Sequence, residues 1–180
     1  MNREQIRIMI LASLMLALGI VLPFITGNVA FLGSRFLPMH LPVLLCGILC
    51  GKKYGLIVGL MTPLLRSVLV GMPPLFPIAV VMSLELAAYG FFIGLIYSFL
   101  PKKLLYLVVS LVSAMILGRI VWGVSAYIIY PLAGMPFTLD LFLAGAFINA
   151  VPGIIFQLIF IPAYFQSLIR TELIPLKEAK

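Results

Sequence analysis

Six apolar stretches dominate the chain, at residues 6–25, 38–50, 55–70, 77–100, 104–130 and 139–166. Glycine, proline or a lysine pair breaks the pattern between them. A helix needs roughly 20 apolar residues to cross a ~30 Å hydrocarbon layer, so the pattern predicts six transmembrane helices. The second stretch is short and contains Pro42, which predicts an irregular start. Unusual backbone at membrane depth has to be surrounded by protein or line a water-filled cavity. The first stretch is too long for the apolar part of a signal peptide and lacks a convincing small-residue cleavage site. It reads as a retained span.

The polar positions between the stretches set an orientation. Arg3, Arg7, Lys52, Lys53, Lys102, Lys103, Arg170, Lys177 and Lys180 all fall on one side of a six-span arrangement. The positive-inside rule makes that side cytoplasmic, so both termini are expected inside. The opposite loops, at residues 26–37, 71–76 and 131–138, hold a single basic residue, Arg35. Topology leaves Arg66 and Arg119 unexplained.

Composition strengthens the membrane assignment. The 180 residues are 64% hydrophobic and only 9% charged, with a mean hydropathy of +1.26. So small a soluble domain has too much surface to hide that apolar content. A single all-α membrane domain over residues 1–180 is expected, because no linker interrupts it and only the short tail 170–180 is polar. The net charge of +7 comes from scattered pairs rather than a patch, which argues against nucleic acid as a partner.

Candidate chemistry lies inside the spans. "TPLLRSVLVGMPPLFP" places Arg66 in an apolar run, where a charge costs at least ~2.5–3.5 kcal/mol. Glu85 in the fourth span, Arg119 in the fifth and Asn149 in the sixth fall at similar depth toward the outer side. Tyr89, Trp122 and Tyr127 add aromatic surface, and His40 stands at the outer start of the second span. A buried structural ion pair explains Glu85 with either arginine. It leaves one positive charge over, and an anionic ligand would complete the neutralisation, since arginine presents a planar fork suited to carboxylate. For His40, Asp140 and Gln157 structural roles are expected first: a helix-end group, a first-turn acid behind the Thr138 cap, and a cross-helix hydrogen bond.

Other chemistry is excluded by missing parts. Cys46 and Cys50 have only His40 as a further metal ligand and read as small core side chains, so no metal or other cofactor is expected. "GILCGKK" is one residue short of a phosphate loop and has Lys53 where Ser or Thr belongs. No placed base stands beside a nucleophile, so an enzyme is not expected. Gly47, Gly51, Gly55 and Gly59, with Gly90 and Gly94, recur every four residues and predict close helix approach. Ala12, Ser13 and Ala17 form a small-residue strip on the first span, which serves either internal packing or a partner helix.

Over essentially its full length the chain resembles the substrate-binding S components of energy-coupling factor (ECF) vitamin transporters. The resemblance is strongest in "MHLPVLLCGILCGKKYGLIVGLMTPLLRSVLVGMPPLFP", residues 39–77, which is similar to the pantothenate-type branch. It implies a six-helix receptor in a bacterial cell membrane that captures a vitamin from outside. A transmembrane coupling subunit and two cytoplasmic ATPases would be its partners, and the receptor would topple in the bilayer to deliver its cargo. Members meet the coupling subunit through Ala-x-x-x-Ala on the first helix, matched here by Ser13-x-x-x-Ala17. Nickel and cobalt members begin Met-His, whereas this chain begins Met1-Asn2, which argues against a metal cargo. Pantothenate and biotin are monoanions that suit one surplus arginine, and pantothenate is the first expectation, with Arg66, Glu85, Arg119, Trp122, Asn149, Tyr89, Tyr127 and His40 as the substrate contacts. Biotin, riboflavin and folate remain alternatives, as does a structural membrane protein of the rod-shape morphogenesis type.

Overall fold

The computed structural model describes residues 2–25 and 36–170, apart from the side chains of residues 147 and 168–170. Arg35, most of the first outer loop, and Lys177 and Lys180 lie outside the described residues. Among those described there are helices and turns and no strand. They form α1 (Arg3–Val21), α2 (His40–Cys50), α3 (Lys52–Val70), α4 (Val80–Phe99), α5 (Leu104–Leu132), the short α6 (Leu139–Leu143) and α7 (Val151–Arg170). A π-helical turn, Leu75–Ala79, leads into α4, and another, Ala144–Ile148, joins α6 to α7. Five helical runs are long and apolar enough to cross a membrane; α2 is the shorter sixth.

Local chemistry explains the boundaries. The Gln5 side chain accepts from the Asn2 N–H at the start of α1, one half of a capping box. Thr138 caps α6 as expected, its Oγ1 accepting from the Leu141 N–H. Gly71 closes α3 in the left-handed conformation (φ 76°), its N–H returning to the Ser67 carbonyl at 2.9 Å, the helix-ending role that favours glycine.

The start of α2 departs from expectation. Pro42 does not disturb the helix, because it occupies the first turn, where its missing N–H would have no helical partner. The irregular backbone comes earlier, at Leu37, whose φ is 51°.

Five of the six glycines act as expected, and Gly51 acts otherwise. A Cβ at Gly47 or Gly55 would strike the Gly90 carbonyl, one at Gly59 the Leu86 carbonyl, and one at Gly90 the Gly55 carbonyl. The α2–α3 pair therefore meets α4 backbone to backbone. Gly94 continues the seam against Gly47 and Lys52. Gly51, at φ 88° with open space around it, is the single-residue corner between α2 and α3, a conformation cheap only for glycine.

The core lies where α1 to α5 meet, with Val43, Leu44, Cys46, Leu86, Ile93, Leu111 and Ala114 fully enclosed. Cys46 and Cys50 are both free thiols packed into it, the small-side-chain role expected of them. Large apolar side chains such as Ile10, Val68, Leu105, Ile116 and Ile159 point outward instead. That inversion, with apolar side chains outside and charges inside, suits a protein whose solvent is lipid. In the α4–α5 turn, Lys102 donates to the Tyr97 carbonyl at 3.0 Å and sits 3.9 Å over the Tyr97 ring. Desolvation there lowers the pKa of its ammonium group.

Candidate functional site

Glu85 is the hub. It enters from α4, second turn, and is 2% exposed. Arg119, projecting from the middle of α5, donates from Nη1 to Glu85 Oε1 at 2.8 Å. His40, the first residue of α2, brings Nε2 to within 3.5 Å of the same oxygen. One turn along α4 from Glu85, Tyr89 meets the His40 ring edge-on at 5.1 Å between centroids. Three helices thus deliver four predicted side chains to one sealed centre.

Tyr89 reaches that position because α5 makes room for it. A Cβ at Gly118 would lie 2.9 Å from the Tyr89 ring, so the ring crosses α5 at the residue before Arg119. Sequence reasoning missed Gly118. A small residue next to a buried charge was the available signal.

The guanidinium of Arg119 is only partly used. Its Nε and Nη2 are buried and make no hydrogen bond among the described residues. Those two N–H groups form one edge of the planar fork, the edge that meets a carboxylate through two parallel bonds. Both ring nitrogens of His40 are likewise buried without a hydrogen bond. Unsatisfied buried donors are rare in native proteins, and each calls for an explanation.

Arg66 has a different neighbourhood. It is 2% exposed, and its Nη1 donates to the Ile20 carbonyl at 2.6 Å. The guanidinium lies 5.1 Å from the centre of the Phe24 ring. Ile20 belongs to the last turn of α1, where helical carbonyls lack partners and a cation is favoured. Neither Ile20 nor Phe24 was singled out from sequence, because a backbone acceptor carries no residue signature. Glu85 has therefore taken Arg119, and Arg66 holds the end of α1.

The remaining expected contacts are dispersed. Trp122 stacks on Phe142 at 5.9 Å and meets Phe137 edge-on at 5.7 Å. Tyr127 is 70% exposed and lines an outward apolar groove with Ile120, Val124, Phe137 and Phe142. Asn149 is exposed in the turn before α7. The structure does not bring Tyr127 or Asn149 to the Glu85 centre. Gln157 is buried and donates at 3.5 Å to the Leu37 carbonyl, a long-range bond to the segment before α2 and not to another helix. Among the described residues no group of three or more His, Cys, Asp or Glu side chains is placed to hold a metal.

On α1 the small-residue strip divides. Ala12 is in the core, whereas Ser13 and Ala17 are exposed. The exposed pair lies one helical turn apart on a face shared with Ile10, Leu14 and Leu18.

Apolar helices enclosing a charged centre define a multi-pass membrane protein. Residues 7–173 match the family model described as ECF transporter, substrate-specific component, and the chain belongs to that family. No curated protein and no solved structure gives a match. Family membership makes the chain a substrate-binding subunit of an ECF transporter, working with a transmembrane subunit and ATPases on a small-molecule substrate. The family is one of transporter components and not a known enzyme family.

Proposed function

We propose that this subunit captures a monoanionic water-soluble vitamin, pantothenate before others, and that Arg119 holds its carboxylate. The observation that carries the reading is the unused Nε and Nη2 edge of Arg119, sealed inside the bundle while Glu85 engages Nη1. A ligand carboxylate would satisfy both donors at once. Glu85 fixes the guanidinium in orientation, so the fork is set before the ligand arrives. Tyr89 and His40 pack at the same centre. Trp122, Asn149 and Tyr127 contribute only if the outer ends of α5 and α7 close over the ligand.

The subunit sits in a bacterial plasma membrane with six spans, both termini cytoplasmic and the vitamin entering from outside. The distribution of basic residues supports that orientation. Ser13 and Ala17 offer the coupling subunit a surface on which another helix can approach closely, and their exposure favours a partner over internal packing.

Mass spectrometry of small molecules released from the purified protein tests the reading. Pantothenate, or another carboxylate vitamin, is the expected finding. A cationic vitamin such as thiamine would overturn it.

A further inference from the structure

A carboxylate placed on Arg119 changes the charge count of a buried centre. Without ligand, the charges of Arg119 and Glu85 cancel. A ligand carboxylate adds a second negative charge where only one guanidinium faces it. Uncompensated charge in such surroundings is strongly unfavourable.

The nearest base that can answer is His40. Its Nε2 is 3.5 Å from the Glu85 oxygen that Arg119 also engages, and its ring is 2% exposed. Protonation would give both ring nitrogens an N–H. One would strengthen the contact with Glu85, and the other, on the Nδ1 now without a hydrogen bond, would become a second donor inside the site.

The surroundings leave that role to His40 among the described residues. From α4 it faces Glu85 and Tyr89, and from α5 Arg119 across the shared oxygen. On α3, Arg66 is turned to the Ile20 carbonyl, while Lys52, Lys53 and Tyr54 begin the helix at the opposite end. On α1, Arg3, Glu4 and Arg7 lie in the first turns, far from the Ile20 end. From α7 comes the neutral Gln157. Tyr130 of α5 packs on Phe137 and feels the Glu85 charge, but its phenol is no base for a further proton, and Asp140 is exposed on α6.

We infer that the site binds its anionic ligand together with a proton, which His40 carries. The inference rests on the carboxylate reading above. Its sign is definite: the affinity that the proton adds is complete at the acid end and is lost as pH rises.

Calorimetry of pantothenate binding to the detergent-purified protein tests it, between about pH 5.5 and 8.5 in buffers of different ionisation enthalpy. The expected result is uptake approaching one proton on binding at the alkaline end. Kd should there rise toward tenfold per pH unit, since one linked proton gives that slope. The neutral alcohol analogue, pantothenol, should bind without proton uptake. His40→Gln should flatten the pantothenate profile and abolish its proton uptake, whatever it does to the absolute affinity for either ligand. If that variant does not fold, the contrast between the two ligands on the wild type still decides. Binding of pantothenate that is flat with pH and takes up no proton overturns the linkage and leaves the carboxylate reading standing. Equal uptake with pantothenol, or uptake that persists in His40→Gln, overturns the role of His40. If neither pantothenate nor biotin nor folate binds, the carboxylate reading falls and the linkage with it.

Discussion

Two buried arginines in one apolar bundle have opposite surroundings, and their substitutions should separate. Arg119→Gln removes the unused fork and strands Glu85. Breaking a buried charged pair costs on the order of 3–5 kcal/mol, and each ~1.4 kcal/mol is tenfold in affinity. Pantothenate binding is expected to weaken by about two orders of magnitude or more, with pantothenol losing much less. Arg66→Gln instead frees the Ile20 carbonyl at the end of α1. A hydrogen bond from a charged donor is worth ~1.5–3 kcal/mol, so a lower unfolding temperature and similar losses for both ligands are expected. Parallel binding titrations and thermal melts of the two variants check this. Equal damage to both ligands by Arg119→Gln would make that arginine structural. The charges themselves were legible in the sequence, because an ion in an apolar run demands compensation. The choice of partner was not, because it depends on how α3, α4 and α5 are rotated about their axes. Tyr127 shows the same limit: it shares α5 with Arg119, yet it points outward.

Spacing of small residues was the most informative signal at the level of elements. Gly47, Gly55, Gly59, Gly90 and Gly94 pack as a four-residue rhythm predicts. Gly51 falls in the same rhythm but serves a corner, because spacing alone cannot report φ. The strip on α1 was ambiguous for a related reason: neighbouring positions on a helix face different ways, and Ala12 turns inward while Ser13 and Ala17 do not. Ala17→Trp should therefore leave ligand binding to the isolated subunit within a fewfold and abolish most transport by the assembled complex. Uptake assays beside binding assays on the purified variant separate the two. Loss of folding and binding together would place the strip inside the bundle.

Topology belongs to the molecule as a whole and is read from charge more than from packing. Lys52 and Lys53 begin α3, and Lys102 and Lys103 precede α5, so both pairs share one end of the bundle. The bias of basic residues toward that end predicts that it is cytoplasmic. Single cysteines at Lys53 and Gly134, in a background lacking Cys46 and Cys50, should label from opposite sides with a membrane-impermeant maleimide. Labelling of both from outside would overturn the six-span orientation. The all-helical, membrane-type character was legible because lipid imposes a length on each apolar run, and five of the described runs meet that length. The position of α6, too short to cross alone, was not, because the sixth apolar run is continuous in sequence, and the changes of winding at residues 144–150 carry no mark in it.

The glycine seam has a mechanical consequence. Helices that touch through backbone have no side-chain layer to rearrange, so α2 and α3 cannot slide along α4 or part from it by small rotamer changes. The half of the molecule that carries His40 and Glu85 is in effect one stiff plate. A cargo gripped beside that plate cannot be released by prising it open down the middle. If the proposed site is the one that holds cargo, release would come from the rim or from reorienting the plate as a unit.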